Sequence, residues 1–198
     1  KKTFGRIFRV AHCRSQENNP MSLIHEQQIK EDTVIQVCRL MAVAARTAPK
    51  ARGNDNLEIA ILQGETIVQL SNKMEEISTA MQMPFFSRDA ANLLLSQAVL
   101  LIGVKINTTG LNFCGYCGME TCENKQKFGN VPCAFNLIDL GIAAGSAVSV
   151  AAAHHIDNRV MFSAGKAALE LGLMSENIRD IVAIPLSVQG KSPFFDRK

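Results

Sequence analysis

Four cysteines fall within 20 residues, spaced Cys114-x2-Cys117-x4-Cys122-x10-Cys133. Thiolates grouped this closely can be wrapped around one metal centre. The local string is Cys-Gly-Tyr-Cys-Gly-Met-Glu-Thr-Cys, and Gly115 and Gly118 each follow a candidate ligand. Glycine lets the chain curl sharply and lets backbone N–H groups approach inorganic sulfide. The fourth thiol arrives later in the chain, as in many iron–sulfur centres. The spacing favours an iron–sulfur cluster and by itself leaves a two-iron form open beside a four-iron four-sulfur (4Fe-4S) one. A structural zinc site is the alternative, but it more usually repeats a short Cys pair twice, and only Cys114–Cys117 makes such a pair here. Disulfides would need an oxidising compartment, and a Gly-rich loop suits four passive core thiols poorly.

Of the six cysteines, two stand apart. Cys38 falls on the apolar face of a predicted helix, where a free thiol behaves as a small hydrophobe. Cys13 lies in an N-terminal tail and is given no role.

Other polar groups offer weaker chemistry. Arg46, Lys50 and Arg52 cluster around Pro49 and Gly53. They read either as an anion site or as cations at a helix C-terminus. Asn54, Asp55 and Asn56 suit turns, and the two Asn also carry amide donors and acceptors. His154 and His155 are adjacent, so on a helix they diverge and chelate poorly; a helix C-terminus suits them better. Gly141, Ala143, Ala144, Gly145, Ser146 and Ala147 permit close approach of another backbone, as ordinary core packing, at a dimer seam or under a planar cofactor. Met74, Met81 and Met83 suit gap filling rather than ligation. No P-loop, GxGxxG or nucleophile triad is present.

The elements that must position these residues follow from periodicity. Apolar Val34, Val37, Cys38, Met41 and Ala45 recur in steps of three and four, predicting a helix over 23–46. Leu57–Leu62 reads as a buried strand, and 65–81 as a helix stopped before Pro84. Ser87 has the chemistry of an N-cap, predicting a helix to about Gln97. Ala98–Ile106 reads as a second buried strand, 137–155 and 162–173 as helices, and 181–188 as a third strand. Residues 107–135 lack periodicity.

Hydrophobic residues make up 47% and charged residues 20% of the 198, ordinary globular usage that excludes disorder, collagen and coiled coil. The net charge of +3 belongs to the tail: Lys1, Lys2, Arg6, Arg9 and Arg14 stand against Glu17 in residues 1–20. The body is slightly acidic, so no nucleic-acid footprint is expected. Phe4, Ile7, Phe8 and Ala11 at helical spacing among basic residues suit a transit or membrane-surface helix. The expectation adopted is an extension outside the fold, with translation starting at Met21. No apolar core of a secretory signal follows the basic residues. The longest apolar run, Leu140–Ala153, has 14 residues, too few to cross a bilayer.

The string at 114–122 resembles the small four-iron four-sulfur domain of several anaerobic redox proteins. Residues 41–59, 85–92, 137–163 and 184–197 resemble uncharacterised bacterial and archaeal proteins described as containing a ferredoxin domain. That resemblance brings no activity with it. A weaker one concerns FMN-dependent nitroreductases. Ala48-Pro49 followed by Asn54 and Asn56 is similar to their Ala-Pro-Ser-x-x-Asn-x-Gln segment. Asp139-Leu-Gly-Ile-Ala-Ala resembles the start of their central helix, and IVAIPLSV their closing strand. This implies an α+β sandwich, a homodimer, and FMN at the subunit interface. Arg46, Asn54 and Asn56 would meet the flavin carbonyls and phosphate, and Arg197 would lie near the phosphate. The sequence departs from that pattern in having QQIKEDTVIQ where the family carries Arg-Arg-Ser-x-Arg. Lys50 stands in place of the Ser, and the Asn is displaced by one residue.

The combined expectation is a nitroreductase-like α+β layered domain over 21–198 with an inserted iron–sulfur loop at 107–135. Cys114, Cys117, Cys122 and Cys133 are its metal ligands. It would be a cytoplasmic redox protein or flavin-dependent oxidoreductase, a homodimer working with a redox partner protein, with no nucleic-acid or membrane-spanning role. The alternative is a binding module whose loop holds structural zinc or a cluster.

Overall fold

The computed structural model describes residues 23–195. The tail, Cys13 and Arg197 lie outside the described residues. Helix α1 (Glu26–Thr47) leads through a short 3-10 turn at Ala51–Gly53 to strand β1 (Leu57–Leu62). Helices α2 (Glu65–Met81) and α3 (Pro84–Leu93) follow, then β2 (Ala98–Lys105). The cysteine loop contains only the short α4 (Cys122–Gln126) and ends at α5 (Ala134–Ala153). The two-residue β3 (Asp157–Asn158), α6 (Phe162–Glu170) and β4 (Ile178–Ser187) complete the chain.

The sheet has four antiparallel strands in the order β1-β2-β4-β3. Successive side chains of a strand point to opposite faces. On β2, Leu100, Ile102 and Val104 join one apolar cluster with α1 and α5. Val99 and Leu101 join the other, with α2, α3 and α6. Every residue from Ala98 to Val104 is therefore buried, which is why this strand reads as an unbroken apolar run. The result is a layer of α1 and α5, a sheet, and a layer of α2, α3 and α6.

Two close approaches fix the helices, one against the sheet and one within the α1–α5 layer. A Cβ at Gly165 of α6 would sit 2.0 Å from the Ile181 carbonyl oxygen, so the helix lies directly on β4 only because that residue is glycine. On the other side, the Ser146 hydroxyl donates to the Ala44 carbonyl at 3.0 Å. Asp89, on the buried face of α3, accepts on its carboxylate from Ser163 (2.6 Å), Arg88 (2.8 Å) and Arg159 (3.3 Å).

Two expectations need correction. Helix α3 starts at Pro84, not Ser87; proline at the first helical position has its φ preset and its missing N–H unneeded. The Ser87 hydroxyl instead donates to Glu75 at 2.9 Å. Helix α5 runs for 20 residues from Ala134, longer than the apolar run after Asp139, and by length and composition it reaches the membrane-crossing range. Its Asn136, Asp139, Leu140, Ala143 and Ala147 are nevertheless buried, and the helix packs against α1 and β2.

Candidate metal centre

The cysteine loop leaves β2 at Lys105 and is built from residues that permit unusual backbone. Gly115 and Gly118 have φ of 66° and 82°, where a side chain would be strained. The Gly118 N–H closes a tight turn on the Gly115 carbonyl at 2.9 Å, carrying Cys114 and Cys117 around it. The Thr121 hydroxyl accepts from the Asn124 N–H at 3.1 Å and so caps α4. This sets Cys122 as the first helical residue, while Cys133 is the N-cap of α5. Tyr116 stacks on Phe135, with ring centroids 5.2 Å apart, tying the loop tip back to α5.

All four cysteines line one cavity of about 380 Å³. Among the described residues, no three His, Cys, Asp or Glu close on a single ion-sized point. Cys133 is the most buried of the four. Burial pushes its thiol up, but the Thr109 hydroxyl and the backbone of Thr109, Asn136 and Phe135 outweigh that and hold its pKa below the ordinary value. Cys38, by contrast, is fully buried in the core, and desolvation pushes its pKa up to about 12.

A buried amide knot supports this wall. The Asn136 side chain, 1% exposed, donates to the Lys105 and Asn107 carbonyls at 3.2 and 2.6 Å. Its oxygen accepts from Thr109 at 2.9 Å and from Asn56 at 3.2 Å. Thr109 in turn lies 3.5 Å from the Cys133 sulfur. Asp139, one turn further along α5, accepts the Ala51 N–H on both oxygens at 3.1 Å. The loop at 46–56, the exit of β2 and the start of α5 are thus joined behind the cysteines.

A second cavity, of about 560 Å³, has a mainly polar wall that includes Asn54, Asn56, Asn107 and Gln126. Thr108 and Lys125 line both cavities. Of the residues expected to meet a flavin, Asn54 and Asn56 are here. Asn54 donates to the Thr109 carbonyl at 3.2 Å. Arg46 lines neither cavity; it binds the Asp55 carboxylate at 2.5 Å and the Leu57 carbonyl at 3.1 Å. Desolvation works to raise the Asp55 pKa, but the Arg46 guanidinium and the Leu57 N–H hold it below the usual carboxylate range. Lys50 caps α1, donating to the Ala45, Arg46 and Ala48 carbonyls. Arg52 reaches the Gly110 carbonyl at 2.6 Å. The basic cluster therefore closes backbone ends. Sequence reasoning missed Thr109, Lys125 and Asn136, which have no periodic or spacing signature; their closeness to cysteines was the available signal.

The layered architecture is that of the nitroreductase fold. It matches an FMN-bound nitroreductase from Desulfitobacterium hafniense with a TM-score of 0.55 at 12% identity, covering 79% of this chain and 78% of that one. A nitroreductase family protein from Clostridium novyi matches with a TM-score of 0.54 at 15% identity, over 77% and 73% of the two chains. A protein from Archaeoglobus fulgidus, known only as an uncharacterized protein, is 43% identical over 183 residues, spanning 88% of this chain and 97% of its own. Residues 130–197 match the family described as "Uncharacterized protein containing a ferredoxin domain". The chain belongs to this ferredoxin-domain family. The matched segment includes Cys133 and α5; the other three cysteines precede it. Family and fold together support a redox role.

Proposed function

We propose that this chain is an iron–sulfur electron-transfer protein in which Cys114, Cys117, Cys122 and Cys133 hold a four-iron four-sulfur cluster. The observation that carries this reading is that all four thiols line one cavity. A lone tetrahedral zinc, with Zn–S near 2.3 Å, would draw the four sulfurs to within about 3.8 Å of each other. A cavity of about 380 Å³ lined by all four thiols has room for a larger inorganic core. When bound, such a cluster supplies one-electron chemistry. The four cysteines would hold it, and the turn that Gly115 and Gly118 permit would bring Cys114 and Cys117 to it.

Anaerobic loading of the full chain with iron and sulfide tests this. The expected result is a brown protein with a broad violet-region shoulder and about four irons and four sulfides per chain. A colourless protein that takes up stoichiometric zinc and no iron would overturn it and leave a binding module with a structural metal.

A second reading adds FMN. It is supported by the flavin in the Desulfitobacterium neighbour and by Asn54 and Asn56 lining the polar cavity beside the cysteines. The flavin would exchange electrons with the cluster across the wall shared by the two cavities. Anaerobic FMN titration of the cluster-loaded protein decides it: absence of binding at micromolar FMN removes the flavin. The reading also includes a homodimer. Helices α1 and α5 present exposed Leu40, Val43, Ile138 and Ile142 with no partner from the described residues covering them.

A further inference from the structure

We infer that Lys125 is the counter-charge of the four-cysteine site, a buried cation that sets how readily that site accepts an electron. The inference rests on the iron–sulfur reading above. Lysine is almost never fully buried without a partner, yet Lys125 is only 3% exposed. Its ammonium has three donors. Among the described residues it has one recorded acceptor, the Ile106 carbonyl at 2.6 Å. No carboxylate of the described residues lies within 4.0 Å of it: the ion pairs there involve Arg46, Lys73, Arg88 and Arg159. Glu120 and Glu123 line the same cavity but are exposed on its rim and pair with no cation there.

A buried, unpaired cation is costly unless negative charge is brought to it. The cavity that Lys125 lines is also lined by four cysteines, which are anionic when they ligate a metal. The missing negative charge and the unpaired positive charge thus share one wall. Position reinforces this: Lys125 follows Cys122 by one helical turn on α4, and the Thr121 cap fixes that turn. The backbone of Ile106, at the exit of β2, anchors the far end of the side chain.

A fixed cation stabilises the more negative, reduced form of a neighbouring redox centre, and net charge is among the levers that set cluster potential. Removing it makes reduction harder. Lys125 therefore acts as a positioning residue, through charge rather than ligation.

The test uses the full chain, loaded anaerobically with iron and sulfide, and reduced stepwise with dithionite under spectroscopic observation. Lys125→Met should still take up iron, with its reduction equilibrium weakened about ten-fold, a midpoint about 59 mV more negative for a one-electron couple. Lys125→Arg, which keeps the charge, should stay close to wild type. A Lys125→Met midpoint equal to wild type overturns the inference. So does a Lys125→Arg midpoint displaced as far as that of Lys125→Met, since geometry would then be the cause. If Lys125→Met does not fold, Lys125→Gln carries the same expected shift and the same refutation. A wild-type chain that takes up no iron and sulfide defeats the iron–sulfur reading itself. A loaded wild type whose potential is indifferent to residue 125 defeats this inference alone.

Discussion

Replacing Asn136 by alanine removes the amide that joins the exit of β2, the loop at 46–56 and the wall behind Cys133. Four hydrogen bonds are lost: two donated to the Lys105 and Asn107 carbonyls, and two accepted from Thr109 and Asn56. Each contributes about 0.5–1.5 kcal/mol net, and buried groups left unpaired cost toward the upper end. Asn56 and Asn107 border the polar cavity, so water can replace part of what they lose. A destabilisation of about 3 kcal/mol results, which for a chain of this size lowers the melting temperature by roughly 6–12 °C. Differential scanning calorimetry of both proteins measures it. Asn136→Asp sharpens the test. It keeps the shape but aims a carboxylate oxygen at the two backbone carbonyls, so the folded state favours the protonated acid. The folded-state pKa of the new acid is then raised, the native state binds more protons, and its stability falls as pH rises. Asn136→Asp should therefore be closer to wild type at about pH 5 than at about pH 8. An unchanged melting temperature for Asn136→Ala, or an Asn136→Asp protein matching wild type at both pH values, would refute the reasoning.

Further expectations concern packing, thiols and assembly. Gly165→Ala gains about 1 kcal/mol of helix propensity. It also drives a Cβ to 2.0 Å from the Ile181 carbonyl oxygen, and since that obstacle is backbone, overpacking of about 3 kcal/mol outweighs the gain. Urea unfolding should show a net loss of about 2 kcal/mol; equal midpoints would contradict the close approach. Cys133→Ser should lower the iron bound after anaerobic loading, and unchanged iron with an unchanged spectrum would remove Cys133 from the ligand set. Cys38, with its pKa near 12, should resist iodoacetamide in the native protein and react after unfolding; rapid native labelling, mapped by peptide mass, would contradict its burial. Light scattering should give twice the chain mass, and a monomer at all working concentrations would dispose of the homodimer.

Much of the scaffold was legible along the chain. Strand β1 and helix α2 fall at the predicted residues, 57–62 and 65–81, because each is bounded by residues that break it. The apolar run of β2 announced a strand buried on both faces, and the flanking glycines marked the cysteine loop as a candidate site. These are properties of near neighbours, and periodicity records them directly. The start of α3 was misplaced because two local signals competed, and the preset φ of Pro84 prevailed over the Ser87 hydroxyl. The strand order β1-β2-β4-β3 and the two-residue β3 have no local signature, since pairing partners lie far apart in sequence. The same holds for the support of the site. Asn56 meets Asn136 across 80 residues, and Asp139 meets Ala51 across 88. Asparagine at such positions reads as ordinary turn or helix-entry chemistry. Only when the sheet and α5 close around it does its amide become buried, and a buried amide must find partners. Lys125 likewise falls in the aperiodic stretch 107–135, where nothing local marks it for burial. Folding of the loop against the exit of β2 buries it with its ammonium on the Ile106 carbonyl, a placement set by contacts distant in sequence.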